Sequence, residues 1–175
     1  MKHNVLLNWV LSGLFLALCF VLPFVTGQIP QVGNLLSPMH IPVFLCAFIC
    51  GTPYAMLVGF IAPLLRGLTL GFPPFPMTAV PMAFELCAYG LFAGLFYKML
   101  PKKAWSIYVA LILAMILGRV VGGVAKAVVM MISGSAYSLE AFFTAYFINA
   151  WPGIVLHLVL VPAIILALRK AKIIN

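Results

Sequence analysis

Apolar residues run through the chain in long stretches, and short polar or Gly/Pro-rich interruptions divide them into six segments of helical length. A helix needs about 20 apolar residues to cross a membrane, and every stretch except the second approaches or exceeds this length. The predicted helices cover Val5–Val25, Met39–Cys50, Pro53–Leu70, Met77–Met99, Trp105–Ile132 and Leu139–Leu168, with bends expected at Pro152 and Pro162. The pattern predicts an all-α integral membrane protein, a bundle of six transmembrane helices forming one domain over residues 1–175.

Positive charges lie at only one set of helix ends. The predicted connections 27–37, 71–76 and 133–138 contain no Lys or Arg. The opposite side of the predicted bundle, with its helix ends, connections and termini, holds Lys2, Lys98, Lys102, Lys103, Arg169, Lys170 and Lys172. Because Lys and Arg are enriched in cytoplasmic loops, we predict that both termini are cytoplasmic.

The composition excludes a water-facing shell. Hydrophobic residues make up 66% of the chain and charged residues 7%, whereas a soluble domain has about 25% charged residues. The net charge of +8 arises from ten Lys and Arg against Glu85 and Glu140, with no Asp. Since most basic residues lie at helix ends, we expect them to contact anionic membrane lipid and not nucleic acid.

The chain lacks the sequence motifs of several chemistries. It contains no P-loop, no G-x-S-x-G nucleophile elbow and no H-E-x-x-H zinc motif. Its four cysteines lie in apolar runs. Cys46 and Cys50 share a helix face, but no nearby His or carboxylate completes a metal site, so the cysteines are interpreted as packing residues. We therefore predict no enzymatic activity, no metal and no cofactor.

Four ionisable residues fall inside the predicted spans: Arg66, Glu85, Arg119 and Lys126. Such residues are costly in lipid and are functional candidates by default. Counting residues from the helix ends places them in the middle or outer half of the membrane. Glu85 could form a structural ion pair with Arg119 or Arg66. At least two cations would then still need a partner, which could be solvent, Glu140 or an anionic ligand. The pattern favours an outward-opening pocket that binds a carboxylate.

The fifth predicted helix places Arg119, Gly122, Gly123 and Lys126 on one face, at positions i, i+3, i+4 and i+7. In one interpretation, the two glycines form a surface without side chains between the two cations, which leaves room for a ligand. The alternative is close helix packing, because Gly118 and Gly122 also form a G-x-x-x-G pair. We expect a mixture of both, with Arg119 as the leading ligand-binding candidate.

Four further residues are candidate ligand contacts. Tyr89 shares a helix face with Glu85, and the amide of Asn149 can both donate and accept hydrogen bonds. Trp151 could contact a ligand or be a core or interfacial residue. His40 could reach the outer pocket or pack at a helix start. His157 is expected to be structural.

Five segments of the chain resemble a known family: Leu36–Pro42, Gly59–Arg66, Phe72–Pro76, Met82–Gly90 and Phe147–Gly153. Together with the chain length and the six predicted helices, they resemble the substrate-binding S components of energy-coupling factor (ECF) vitamin transporters. This resemblance implies a subunit that binds a vitamin from outside and docks on a membrane scaffold (T) subunit with two ATPases. It also implies docking through an A-x-x-x-A face on the first helix, where this chain has Gly13 and Ala17.

The resemblance places the protein in a bacterial plasma membrane, and the cation-rich pocket favours a small carboxylate with hydroxyls. Pantothenate is the leading substrate, followed by lipoate, while folate and riboflavin stay open as alternatives. A second class is a self-sufficient secondary carrier or channel. The single intramembrane carboxylate and the missing internal repeat disfavour that class.

Overall fold

The computed structural model describes residues 5–25 and 35–174, and within these ranges the chain is helical and contains no strand. Helix α1 covers Val5–Val25, and α2 is a short helix over His40–Ile49. The remaining helical segments are α3 (Thr52–Leu70), α4 (Ala79–Met99), α5 (Ala104–Ile132), α6 (Leu139–Phe143), a π-helical turn (Thr144–Ile148) and α7 (Trp151–Lys170). The predicted helix positions are therefore confirmed for most of the chain.

Five helical segments are long and apolar enough to cross a membrane, counting Leu139–Lys170 as one. Helix α2 has ten residues, and at about 1.5 Å per residue it covers only about half of a 30 Å hydrocarbon core. Six complete spans are therefore not confirmed. The cytoplasmic position of both termini stays a prediction.

The last helix differs from the continuous one predicted for Leu139–Leu168. It is interrupted by the π-helical turn and by a non-helical turn at Asn149 and Ala150. Pro152 lies in the first turn of α7, where its missing amide hydrogen leaves no hydrogen bond unmade. The proline thus begins a helix at this position and does not bend one.

Helix α4 is central, packing against α2, α3 and α5. Its contact with α3 is antiparallel and depends on glycine. A Cβ atom on Gly90 would lie 2.6 Å from the carbonyl carbon of Ala55, and one on Gly94 would lie 3.0 Å from Cα of Thr52. Small residues permit this close backbone approach, as in other membrane helix pairs.

Helix α2 lies inside the bundle, whereas α1 lies at its edge. Val43, Phe44 and Cys46 of α2 have no exposed surface, but Leu6 and Val10 of α1 are more than 60% exposed. Because α2 is enclosed by α1, α3, α4 and α7, its first residue, His40, lies in the interior. The imidazole of His40 is therefore available to an interior site.

Candidate functional site

A cavity of about 470 Å³ opens between the C-terminal end of α3, the N-terminal end of α4 and the start of α2. Its volume falls in the range of about 300–1,000 Å³ that is typical of small-molecule sites. Six of the eight predicted ligand-binding residues line it: His40, Arg66, Glu85, Arg119, Lys126 and Asn149. The fold thus gathers side chains from α2, α3, α4, α5 and the turn before α7.

Glu85 and Arg119 are linked through a tyrosine and not by a direct ion pair. The hydroxyl of Tyr89 donates a hydrogen bond to Oε1 of Glu85 at 2.6 Å, and Nε of Arg119 donates to the same hydroxyl at 3.2 Å. Tyr89 has no exposed surface and lies directly behind the cavity wall. The bridge fixes both charged groups, because each member restricts the rotamer of the next.

His40 forms the second contact of the Glu85 carboxylate. Its Nε2 lies 3.8 Å from Oε1 of Glu85, an ion pair if the imidazole is protonated. The ring also stacks on His157 with 5.6 Å between centroids, and Nε2 of His157 lies 3.3 Å from the carbonyl oxygen of Ser37. His157 therefore supports His40 from behind, in agreement with the structural role predicted for it.

The three cations of the cavity wall bind neutral acceptors. Nη1 of Arg66 donates to the carbonyl of Phe72, and Nζ of Lys126 donates to that of Met77, both at 2.7 Å. Arg119 donates through Nη1 to the carbonyl of Tyr146. In the described part of the chain none of these cations lies within 4.0 Å of a carboxylate, so the expected pairing of Glu85 with Arg119 or Arg66 is not formed.

Two donors of Arg66 are left over. Its Nε and Nη2 atoms are buried and have no hydrogen-bond partner among residues 5–25 and 35–174, and the residue as a whole is 2% exposed. The ring centroid of Phe24 lies 5.8 Å from the guanidinium carbon. Unsatisfied buried donors are costly. Nε and Nη2 together form the edge of the guanidinium group through which arginine binds both oxygens of a carboxylate.

The glycines of α5 pack against the residues that form the site. A Cβ atom on Gly122 would lie 2.8 Å from Cβ of Glu85, and one on Gly118 would collide with the ring of Tyr89. Gly123 similarly faces the ring of Phe142. These contacts favour the packing interpretation of the glycine pair, since Gly122 and Gly123 do not line the cavity.

Two of the predicted ligand contacts, Trp151 and Tyr89, do not line the cavity. Trp151 is 61% exposed on the outer surface of α7 and does not line the cavity. Tyr89 lies behind the wall, where it is hydrogen-bonded to Glu85 and Arg119. On α1, the docking candidates Gly13 and Ala17 are both exposed, and no atom would lie within 4 Å of a Cβ on Gly13.

Several wall residues were not predicted as ligand contacts, among them Tyr137, Tyr146, Met82, Pro73 and Pro74. The hydroxyl of Tyr137 is buried, and none of the described residues forms a hydrogen bond with it. Burial raises the pKa of this phenol, and the nearby Glu85 raises it further, so the group is a neutral donor. In the sequence, only the position of Tyr137 in the predicted loop 133–138, on the cavity side of the bundle, could have indicated a ligand contact.

The described residues form a helical bundle with an apolar exterior and a small-molecule-sized cavity into which charged side chains project, as expected of a multi-pass membrane protein that binds a small molecule. Residues 8–165 match the family model described as "ECF transporter, substrate-specific component". The chain therefore belongs to the family of substrate-specific components of ECF transporters. Comparison with curated proteins and with solved structures gave no match.

Membership of this family confirms the family-level resemblance found in the sequence. Substrate-specific components bind small molecules, are not enzymes, and work with a T subunit and ATPase subunits in the membrane. The pantothenate branch, the vitamin and the anionic character of the substrate stay predictions.

Proposed function

We propose that the cavity binds a small vitamin carrying a carboxylate, with pantothenate as the leading substrate. The observation that supports this is the charge of the wall. Arg66, Arg119 and Lys126 line the cavity together with Glu85 as its single carboxylate, and the hydrogen bonds of the three cations go to neutral oxygens. A bound carboxylate would compensate this excess of positive charge in a low-dielectric site.

Arg66 and Arg119 are the proposed anion contacts. The Nε and Nη2 donors of Arg66 have no hydrogen-bond partner among the described residues and are buried, so a carboxylate would bind them in bidentate fashion after a local rearrangement of the wall. Arg119 is already oriented by Tyr89 and Tyr146, so it would lose little conformational freedom on binding. Lys126 supplies a third positive charge at the cavity wall.

The hydroxyl-bearing part of pantothenate would find partners on the same wall. The amide of Asn149 and the phenol of Tyr137 offer donors and acceptors, whereas Met82, Pro73 and Pro74 supply apolar contacts. Lipoate has the carboxylate but no hydroxyl, so it would leave these groups unused. Folate and riboflavin are further alternatives for the same cavity.

The experiment is a pair of titrations. Calorimetry measures binding of pantothenate, lipoate and the alcohol obtained by reducing the pantothenate carboxylate to the purified full chain and to Arg119→Ala. We expect Arg119→Ala to weaken pantothenate binding by at least about tenfold, since a charged hydrogen bond contributes about 1.5–3 kcal/mol. The alcohol should bind more weakly than the acid to the unmodified chain, and this difference should shrink in Arg119→Ala because both changes remove one interaction.

Lys103→Ala is the matched control, because it removes a cation outside the cavity and should leave affinity unchanged. If the affinities for acid and alcohol differ by the same factor in the unmodified chain and in Arg119→Ala, Arg119 is structural and the argument for an anionic vitamin fails. Mass spectrometry of small molecules retained by the purified chain tests the identity independently. Retention of a neutral ligand would contradict the proposal directly.

We further propose that the protein docks on its T subunit through the exposed Gly13 and Ala17 of α1, in a bacterial plasma membrane. A self-sufficient carrier is the competing function. No observation in the cavity favours it, since ion coupling usually requires buried carboxylates and Glu85 alone is available there.

A further inference from the structure

The end of the bundle opposite the cavity contains a cluster of positive charge around one tyrosine. Tyr97 lies near the C-terminal end of α4 and is 5% exposed. Nζ of Lys102 lies 3.8 Å from its ring centroid, and the guanidinium carbon of Arg169 lies 5.4 Å from the same point. Arg169 also donates a hydrogen bond to the Tyr97 hydroxyl.

The two cations of this cluster are held close together by neutral groups. Lys102 donates to the carbonyl of Tyr97 at 3.3 Å, and Nη1 of Arg169 donates to the carbonyl of Lys102 at 3.3 Å. Nε of Arg169 is buried and has no hydrogen-bond partner within the described part of the chain. Burial lowers the pKa of Lys102, and the neighbouring Arg169 lowers it further. The cluster is therefore a site of uncompensated like charge.

The chain offers this cluster no side-chain carboxylate. Its acidic residues are Glu85 and Glu140, of which Glu85 lines the cavity and Glu140 lies in α6. Lys98, Lys103 and Lys170 add further positive charge in the neighbouring sequence. Among the described residues no carboxylate lies within 4.0 Å of Lys102 or Arg169, so the cluster can accept an anion.

The surroundings of the cluster indicate where that anion resides. Trp105 and Tyr108 follow Lys102 on the first turns of α5 and are 48% and 41% exposed. Tryptophan and tyrosine on an apolar exterior are typical of the headgroup level of a membrane, where basic side chains attract anionic lipid. The cluster thus lies where lipid phosphates are concentrated.

We propose that Lys102, Arg169 and Tyr97 form a binding site for the phosphate of an anionic phospholipid. The two cations would contact the phosphate oxygens, and the acyl chains would extend along the apolar surface of α5. The site is separate from the cavity and does not depend on which vitamin the cavity binds.

The test is native mass spectrometry of the purified full chain in detergent, titrated with phosphatidylglycerol or with zwitterionic phosphatidylcholine. We expect tighter binding of phosphatidylglycerol, and a loss of about tenfold or more in Lys102→Ala/Arg169→Ala. The control variant Lys103→Ala/Lys170→Ala removes the same net charge outside the cluster and should lose distinctly less. Thermal unfolding and vitamin binding should be unchanged in the control variant.

Three results would overturn the proposal. The first is an equal loss of phosphatidylglycerol affinity in the cluster variant and the control variant. The second is equal affinity of the unmodified chain for the two lipids. The third is displacement of phosphatidylglycerol by an equimolar amount of inorganic phosphate. The last result would assign the cluster to a free anion. If the double variant does not fold, Lys102→Gln alone replaces it, because Lys102 is exposed, and a several-fold loss is expected from one charge.

Discussion

At the residue scale, the Tyr89 hydroxyl determines how the charged groups of the cavity are held. It is the only atom in the described residues that hydrogen-bonds both Glu85 and Arg119. Removing it leaves two charged groups without their shared partner in a buried site, which is costly. Tyr89 is therefore proposed as a positioning residue, although it does not line the cavity.

Tyr89→Phe should weaken ligand binding by about tenfold while the ring keeps its packing against Gly118 and Phe44. Calorimetry measures the affinity and thermal unfolding the stability. Tyr108→Phe is the matched control, because that tyrosine is 41% exposed and should tolerate the loss of its hydroxyl. Unchanged affinity in Tyr89→Phe would show that the bridge does not contribute to binding.

A second residue-scale prediction concerns Gly122, which faces Glu85. A methyl group at this position would lie 2.8 Å from Cβ of Glu85, so Gly122→Ala should displace α4 from α5 and cost about 1–3 kcal/mol of stability. Affinity should fall as well, because Glu85 shifts. Gly13→Ala is the control, since no atom lies within 4 Å of its Cβ position. Equal thermal stability of the two variants would refute the packing role of Gly122.

At the element scale, α1 and α2 have opposite environments. Helix α2 is buried and contributes His40 to the cavity, while α1 exposes Gly13 and Ala17 on its outer face. Ligand binding and partner docking are therefore proposed to occupy separate helices. Substitutions on the exposed face of α1 should leave the cavity unchanged.

Gly13→Leu or Ala17→Leu should abolish vitamin uptake in cells containing the complete transporter and leave ligand binding by the purified chain intact. Small residues let membrane helices approach closely, and a leucine would hold the T subunit away. Val10→Leu, on the same exposed face, is the control and should transport normally. Parallel loss of binding and uptake in the leucine variants would mean that this face is part of the fold and not a docking surface.

At the scale of the whole molecule, the chain contains a binding cavity but no sequence motif for nucleotide hydrolysis. We predict that the chain alone, reconstituted in liposomes, binds the vitamin but does not concentrate it. Accumulation should require the T subunit, the ATPase subunits and ATP. Radiolabelled uptake measures this, and accumulation by the chain alone under an ion gradient would identify a self-sufficient carrier.

The sequence by itself determined the helices and the set of charged residues. Long apolar runs predicted α1, α3, α4 and α5 to within two residues at each end, because the cost of exposing backbone polar groups to lipid leaves helix as the available structure. Arg66, Glu85, Arg119 and Lys126 were identified by the cost of burying a charge in an apolar segment. Both arguments use only local composition.

The tertiary structure decided how these residues meet. The Tyr89 bridge, the depth of His40 on the short α2, and the contributions of Tyr137 and Tyr146 all depend on helix rotation and depth. In a membrane protein, apolar side chains face both the core and the lipid, so the hydrophobic pattern of a helix does not indicate which face points inward. The break before α7 likewise depends on packing, since the residues around Asn149 are apolar enough to continue a helix.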